Sequence, residues 1–292
     1  MTLSRTKAGS EWTAKISEMP PPTFVIQPQS GLGSLDVAAL WEYRELLYFL
    51  VWRDVKVRYK QTFIGAGWAI FQPAMSMAIF TVVFGNFANM PSDGLPYPVF
   101  AYTALLPWTY FSQALSRSGA GLVNNANLIT KVYFPRLLIP LGDVIAPAVD
   151  FLFAFLVLLG LMAWFGIAPT WGVLALPLFF LLAMLTALAI GLWLSPINAK
   201  YRDVGHTIPF LIQFWMFASP VVYPVSLIPE SWRLVYSLNP MVGVIEGFRW
   251  ALLGKENPDF ALMLVSVAVV LVLLAGGIVF FKRMERTLAD LI

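Results

Sequence analysis

Six apolar runs decide what this chain can fold into. They fall at about residues 64–87, 98–121, 137–164, 173–195, 207–224 and 260–281, near or above the ~20 residues that carry a helix across a bilayer core. Charge is scarce enough to close off the soluble alternative. Only 12% of residues are charged, against about a quarter in a soluble domain. Barrel strands would show short alternating segments instead of long unbroken runs. The expected fold is an all-α integral membrane protein with six transmembrane helices. It divides into a tail at 1–35, an amphipathic interface helix at 36–63 and a membrane domain at 64–292.

The basic residues orient the spans. Of nineteen Lys and Arg, sixteen lie in 1–63, 116–136, 196–206 and 282–292, and three lie in the opposite set of loops. Cytoplasmic loops carry the Lys/Arg excess, so both termini are expected in the cytoplasm. The N-terminus is polar, without an apolar stretch of the signal-peptide kind. Segment 225–259 is apolar enough to suggest a seventh crossing. Pro224, Pro229 and Pro240 cut it into pieces too short to span, and a seventh crossing would put the basic 282–286 outside. Asn239-Pro240 reads as an N-cap with proline at the first helical position, and Gly254 as a helix stop. The expectation is two short helices at about 229–253. Either they dip into the outer leaflet packed on the bundle, as buried backbone requires, or they lie flat on the membrane.

Before the first run, residues 40–62 place Leu40, Tyr43, Leu47, Leu50, Val51 and Val55 on one helical face. Glu42, Glu45, Arg53, Lys56 and Lys60 fall on the other, interrupted by Phe49 and Trp52. Such a helix suits the cytoplasmic membrane interface, as an anchor or as a partner contact. Its basic end, Arg53, Lys56, Arg58 and Lys60, suits lipid-borne phosphate, from a carrier or from ordinary anionic lipid.

Several chemistries are missing. There is no G-x-x-x-x-G-K-[ST] loop to hold ATP, no G-x-S-x-G elbow and no H-E-x-x-H pair. His206 is the one histidine and cysteine is absent, so no metal site is expected, and nothing points to nucleic acid. Asp143 and Asp150 stand out because ionisable groups at membrane depth are functional suspects. Seven residues apart, they share a helical face across Pro147. Asp143 lies near the cytoplasmic end, where water reaches. Asp150 lies deeper and needs a watery lumen or a polar neighbour such as Gln72 or Gln213. Aromatic residues make up 15% of the chain. Belts of Trp and Tyr at the span ends explain most of them. Trp108, Tyr110, Phe111 and Trp215 lie inside spans and could line a path, together with Glu246 and Arg249 of the 229–253 segment.

Between the second and third spans lies NLITKVYFPRLLIP, residues 127–140. Asn124, Asn125 and Asn127 can end one helix and cap another, and Pro135 disfavours helix at Phe134, where a short helix should stop. Asn127, Leu128, Ile129, Val132, Tyr133 and Phe134 offer a surface to a partner's groove, with Lys131 and Arg136 for its acids. On the residues alone, the basic pair could equally serve only to orient the membrane helices.

Four stretches in order, RDVKVRYKQTFIGAGW (53–68), NLITKVYFPRLLIP (127–140), NAKYRDVGH (198–206) and LNPMVGVIEGFRWALLG (238–254), resemble the permease subunits of type-2 ABC transporters that export polysaccharides such as O-antigen, capsule and teichoic acid. The likeness covers about residues 24–285. It implies a multi-pass protein of the bacterial inner membrane that works as a homodimer with two copies of a separate ATPase subunit. ATP and Mg would be held there, with no cofactor on this chain. It also implies that 125–136 is a coupling helix for that ATPase, that 229–253 are gate helices, and that the cargo is a glycan on a polyprenyl (pyro)phosphate carrier. Two alternatives remain. One is a type-2 permease for a small lipid, drug or haem. The other is a membrane glycosyltransferase, which would need clustered acids that the sequence lacks.

Overall fold

The structure, a computed structural model, describes residues 37–60, 67–254 and 260–291; the expected tail at 1–35 lies outside the described residues. Among the described residues all regular structure is helical. Two helices precede the bundle, α1 Val37–Glu42 and α2 Arg44–Lys60, separated by a turn at Tyr43. The bundle begins with α3 Gly67–Phe80, which loosens into a π-helical stretch at Thr81–Phe87. The 28-residue α4, Tyr97–Asn124, follows, then the six-residue α5, Ala126–Lys131. The third apolar run is two helices, α6 Leu138–Ile145 and α7 Ala148–Trp164. A 3-10 turn at Trp171–Ala175 leads into α8 Leu176–Lys200, and α9 is Asp203–Phe217. Two further helices, α10 Glu230–Tyr236 and α11 Pro240–Leu253, follow, and α12 runs Phe260–Leu291.

Four helical stretches among the described residues are long and apolar enough to cross a membrane: Gly67–Phe87, Leu138–Trp164, Trp171–Lys200 and Phe260–Glu285. The other two expected spans differ for separate reasons. Helix α4 is long enough but carries Thr103, Gln113, Arg117 and Ser118. It runs through the middle of the bundle, packed on α3, α6, α7, α8 and α11, so protein covers most of it. Helix α9 has 15 residues and stops at Phe217, short of the expected 224. Pro220 explains the stop, because it lacks an N–H and disfavours helix at the residue before it.

Local chemistry accounts for the remaining boundaries. Pro147 interrupts the third run, since it cannot donate to the carbonyl four residues back. The Tyr110 hydroxyl donates to the Val144 carbonyl at 2.8 Å, satisfying a group beside that break. Helix α8 passes through Pro196 to Lys200, five residues beyond the expected end, and α12 continues well past residue 281. Asn239 caps α11 as expected, accepting from the Met241 N–H at 3.1 Å. Gly254 ends that helix with φ 66°, a backbone region glycine enters at little cost. Helix α11 is buried along most of its length against α4, α8 and α12; α10 has no buried residue.

The bundle closes tightly where α11 meets α8. A Cβ built on Gly247 would lie 2.2 Å from the Phe179 ring, which is itself buried. Gly247→Ala is therefore expected to destabilise the protein by about 1–3 kcal/mol through overpacking. The check is a lower melting temperature for the detergent-solubilised variant, read by fluorescence-detected gel filtration.

Candidate functional site

The corner after α4 is built from both sides. Asn125 sits between α4 and α5 but does not cap α5 with its side chain. Its amide instead donates to the Gly121 carbonyl at 2.9 Å, and its oxygen accepts from the Arg53 guanidinium at 2.9 Å. The capping expected of this asparagine is thus replaced by a tie to α2. Helix α5 ends at Lys131, three residues before the expected stop at Phe134, and Val132 is extended, with φ −130° and ψ 134°.

This early exit sorts the segment into anchors and a free crest. Ile129 and Phe134 are buried in one cluster with Leu50, Leu122, Leu138, Ile139, Leu192 and Phe281. Leu128 is half-buried against the same cluster. Asn127, Lys131 and Val132 are exposed, and Tyr133 is 84% exposed. Arg136 is turned inward: its backbone N–H donates to the Glu285 carboxylate at 3.2 Å, and its guanidinium donates to the Glu285 carbonyl. Of the surface offered by the sequence, Phe134 faces the protein's own core, while Lys131, Val132 and Tyr133 project from it.

A polar network lies where α2 crosses α4 and α7. Arg58 forms an ion pair with Asp150, and the Tyr59 hydroxyl donates to the same carboxylate. Arg58 also donates to Gln113 at 3.2 Å. Asp54 pairs with Arg53 at 2.9 Å and with Arg117 at 3.8 Å. The polar neighbours of Asp150 are therefore on α2; Gln72 and Gln213 are both exposed. Burial, then the nearby guanidinium of Arg117, lower the Arg58 pKa from its usual 12.5. Arginine nevertheless keeps its charge in proteins. Burial raises the Tyr59 phenol above 10, which keeps it a proton donor to the carboxylate. Arg53, Lys56 and Lys60 remain exposed; of the four expected phosphate contacts, Arg58 is part-buried in the bundle, and Arg53 is tied to it through Asn125. Asp143 is buried, and its Oδ2 has no hydrogen-bond partner among the described residues. Gly121 makes room for it: a Cβ there would lie 1.9 Å from that oxygen.

At the other end, Trp108, Tyr110 and Phe111 are buried in the main core, so within one chain they line no open path. Trp215 is half-buried, packs 5.2 Å from the Phe111 ring and donates to Asn239 at 2.8 Å. It borders a cavity of about 840 Å³ lined also by Trp232, Tyr236, Leu238 and Leu273. Arg249 is fully buried, stacked 3.7 Å over the Phe100 ring. It pairs with Glu246 at 3.2 Å and donates to the Val221 carbonyl at 3.2 Å.

Asp54, Tyr59, Gln113, Arg117 and Glu285 were not singled out in the sequence. A signal existed for four of them. Asp54 with Arg58, and Gln113 with Arg117, are spaced i,i+4 on one face of their helices, and Tyr59 adjoins Arg58. Glu285 had none.

The helices and this corner define a multi-helix membrane protein with a projecting crest. Residues 45–253, from the start of α2 to the end of α11, match the family model described as ABC-2 type transporter, and the chain belongs to that family. It is similar to the O-antigen export system permease protein RfbA of Myxococcus xanthus, 33% identical over 255 residues, covering 86% of this chain and 96% of that protein. A Klebsiella pneumoniae protein of the same name is 25% identical over 253 residues, 85% and 95% of the two chains. The polysialic acid transport protein KpsM of Escherichia coli is 25% identical over 244 residues, 82% and 93%.

The Arg58–Asp150 pair can be weighed by removing one charge and then both. Arg58→Leu strands a carboxylate in the bundle and should cost roughly 2–4 kcal/mol, allowing for the partial exposure of Arg58. Adding Asp150→Leu should recover more than half of the lost thermal stability. A double variant no better than the single one would show that the pair is not coupled.

Proposed function

We propose that this chain is the membrane-spanning subunit of an ATP-driven exporter of polysaccharide, with O-antigen-like glycan as its cargo. The observation that carries this reading is the similarity, along nearly the whole length of both chains, to a permease of O-antigen export. The resemblance of the polysialic acid transporter keeps the cargo class glycan while its sugars differ. In this reading α4 and α9 join the four apolar helices to make six spans with both termini in the cytoplasm. Two copies of the chain enclose the path, and two copies of a separate ATPase subunit hold ATP and Mg. The glycan arrives on a polyprenyl (pyro)phosphate, and the exposed Arg53, Lys56 and Lys60 meet its phosphate. Helices α10 and α11 form the outer gate. The crest at 131–133 suits an ATPase groove, because an exposed tyrosine beside a lysine supplies both apolar area and charge. The chain is a transport subunit and catalyses no reaction of its own.

Co-purification with the cognate ATPase subunit tests the assembly, and ATPase activity with and without lipid-linked glycan tests the cargo. A complex whose turnover rises with the glycan is expected. A chain that forms no such complex and transfers sugar by itself would overturn the reading. Within the complex, Lys131→Glu with Tyr133→Ala should leave membrane insertion intact and weaken ATPase-subunit binding by about tenfold or more, as loss of an interface anchor does. Unchanged affinity would show that the crest is a connecting loop.

A further inference from the structure

We propose that Glu285, on the cytoplasmic stretch of α12, is a positioning residue for the crest at 131–133, and that α12 thereby joins the crest to the outer-side helices. The proposal rests on the reading that the crest receives an ATPase subunit. The crest ends one residue before Phe134 and three before Arg136, so whatever holds those two sets its direction. Two groups on α12 do so. Phe281 is fully buried in the cluster that takes Ile129 and Phe134. One helical turn later, on the same face, Glu285 accepts the Arg136 N–H on its carboxylate and the Arg136 guanidinium on its carbonyl.

The geometry makes this more than a surface contact. Helix α5 has only six residues and its N-terminal asparagine side chain is used elsewhere, so it cannot hold itself in place. A helix this short is marginal without tertiary support. The chain then runs extended at Val132 and reaches Pro135, which offers no N–H. Arg136 is the first residue after that proline able to donate from its backbone, and Glu285 takes that donor.

The same helix is fastened at its other end. Ser266 donates to the Ser237 carbonyl, between α10 and α11, at 2.9 Å. A Cβ on Gly243 of α11 would lie 2.7 Å from the Ser266 Cβ, so α11 and α12 touch closely there. Ser266 and Glu285 lie in one continuous helix, about 28 Å apart at 1.5 Å per residue. A shift of α12 along its axis therefore acts on both the α10–α11 turn and the Phe134–Arg136 anchor.

The sequence contains no cysteine, so a nitroxide on Asn127→Cys would be the only label on the full-length permease in nanodiscs. In the permease alone, Glu285→Ala should narrow the spectrum as the crest loses its hold. With the ATPase subunit added, Glu285→Ala should raise the Kd of the complex roughly tenfold, the scale of one lost hydrogen bond, while turnover at saturating permease stays as in the parent. Glu285→Gln should restore both readouts, since its amide oxygen accepts the same N–H. Unchanged label mobility and Kd in Glu285→Ala would overturn the proposal. So would a Glu285→Gln variant as impaired as Glu285→Ala, because charge rather than acceptance would then be at work. If the parent permease bound no ATPase subunit, the functional reading would fail, while label mobility would still decide whether Glu285 positions the crest.

Discussion

A carboxyl group inside an apolar helix demands polar partners, and Asp150 draws its own from α2, a helix that does not belong to the bundle core. Arg58 and Tyr59 both reach it from α2. That demand fixes where α2 lies. With Arg58 held, the same face of α2 brings Asp54 to Arg117 and Leu50 into the cluster around Ile129 and Phe134. Arg53, next to Asp54, then reaches Asn125 at the corner before α5. A pair of this kind adds little net stability over apolar residues of the same size, but removing one partner is costly. Its effect here is to give α2 one register against the bundle.

Polarity is arranged from the inside outward. The stretches apolar enough to cross a membrane include α3, with few buried residues, and α12, with many exposed ones. The less apolar α4 is covered by its neighbours. A helix facing lipid has no partner for a polar side chain, whereas one facing protein can find them. Gln113 meets Arg58, and Tyr102 and Tyr110 donate to carbonyls of α7 and α6. The close approach of α4 and α8 follows from small residues. Gly191 leaves no room for a Cβ beside Ser118, the kind of contact that lets helices associate where no hydrophobic effect drives them together.

What could be read from the sequence was local. The apolar runs gave the helical class, and Asn239-Pro240 with Gly254 gave both ends of α11, because caps and stops depend on adjacent residues. Helix α8 running through Pro196 and the early end of α9 could not be judged from breaker residues alone. Whether a proline ends a helix depends on whether packing holds the next turn. The partner of Asp150 lies 91 residues away, and that of Arg136 lies 149 residues away. No periodicity carries such a pairing. Nothing adjacent to Phe134 in the sequence tells which way its ring faces. Only the exit of the chain at Val132 turns it inward.

Helices α2 and α11 are each held by an arginine, part-buried Arg58 and fully buried Arg249, and both arginines reach α4. Arg58 of α2 bonds Gln113, and Arg249 of α11 stacks on Phe100. A short helix buries too little apolar area to fix its orientation by packing alone, and in a membrane neighbouring lipid competes for that area on nearly equal terms. A guanidinium removes the degeneracy, since its donors accept only a few geometries and its charge cannot be left uncovered. The two contacts lie thirteen residues apart on one helix, about 20 Å at 1.5 Å per residue. Tilting or sliding α4 would strain both at once. Helices α2 and α11 are thus referred to the same central rod, and neither can change its seat without α4 or its own arginine contacts giving way.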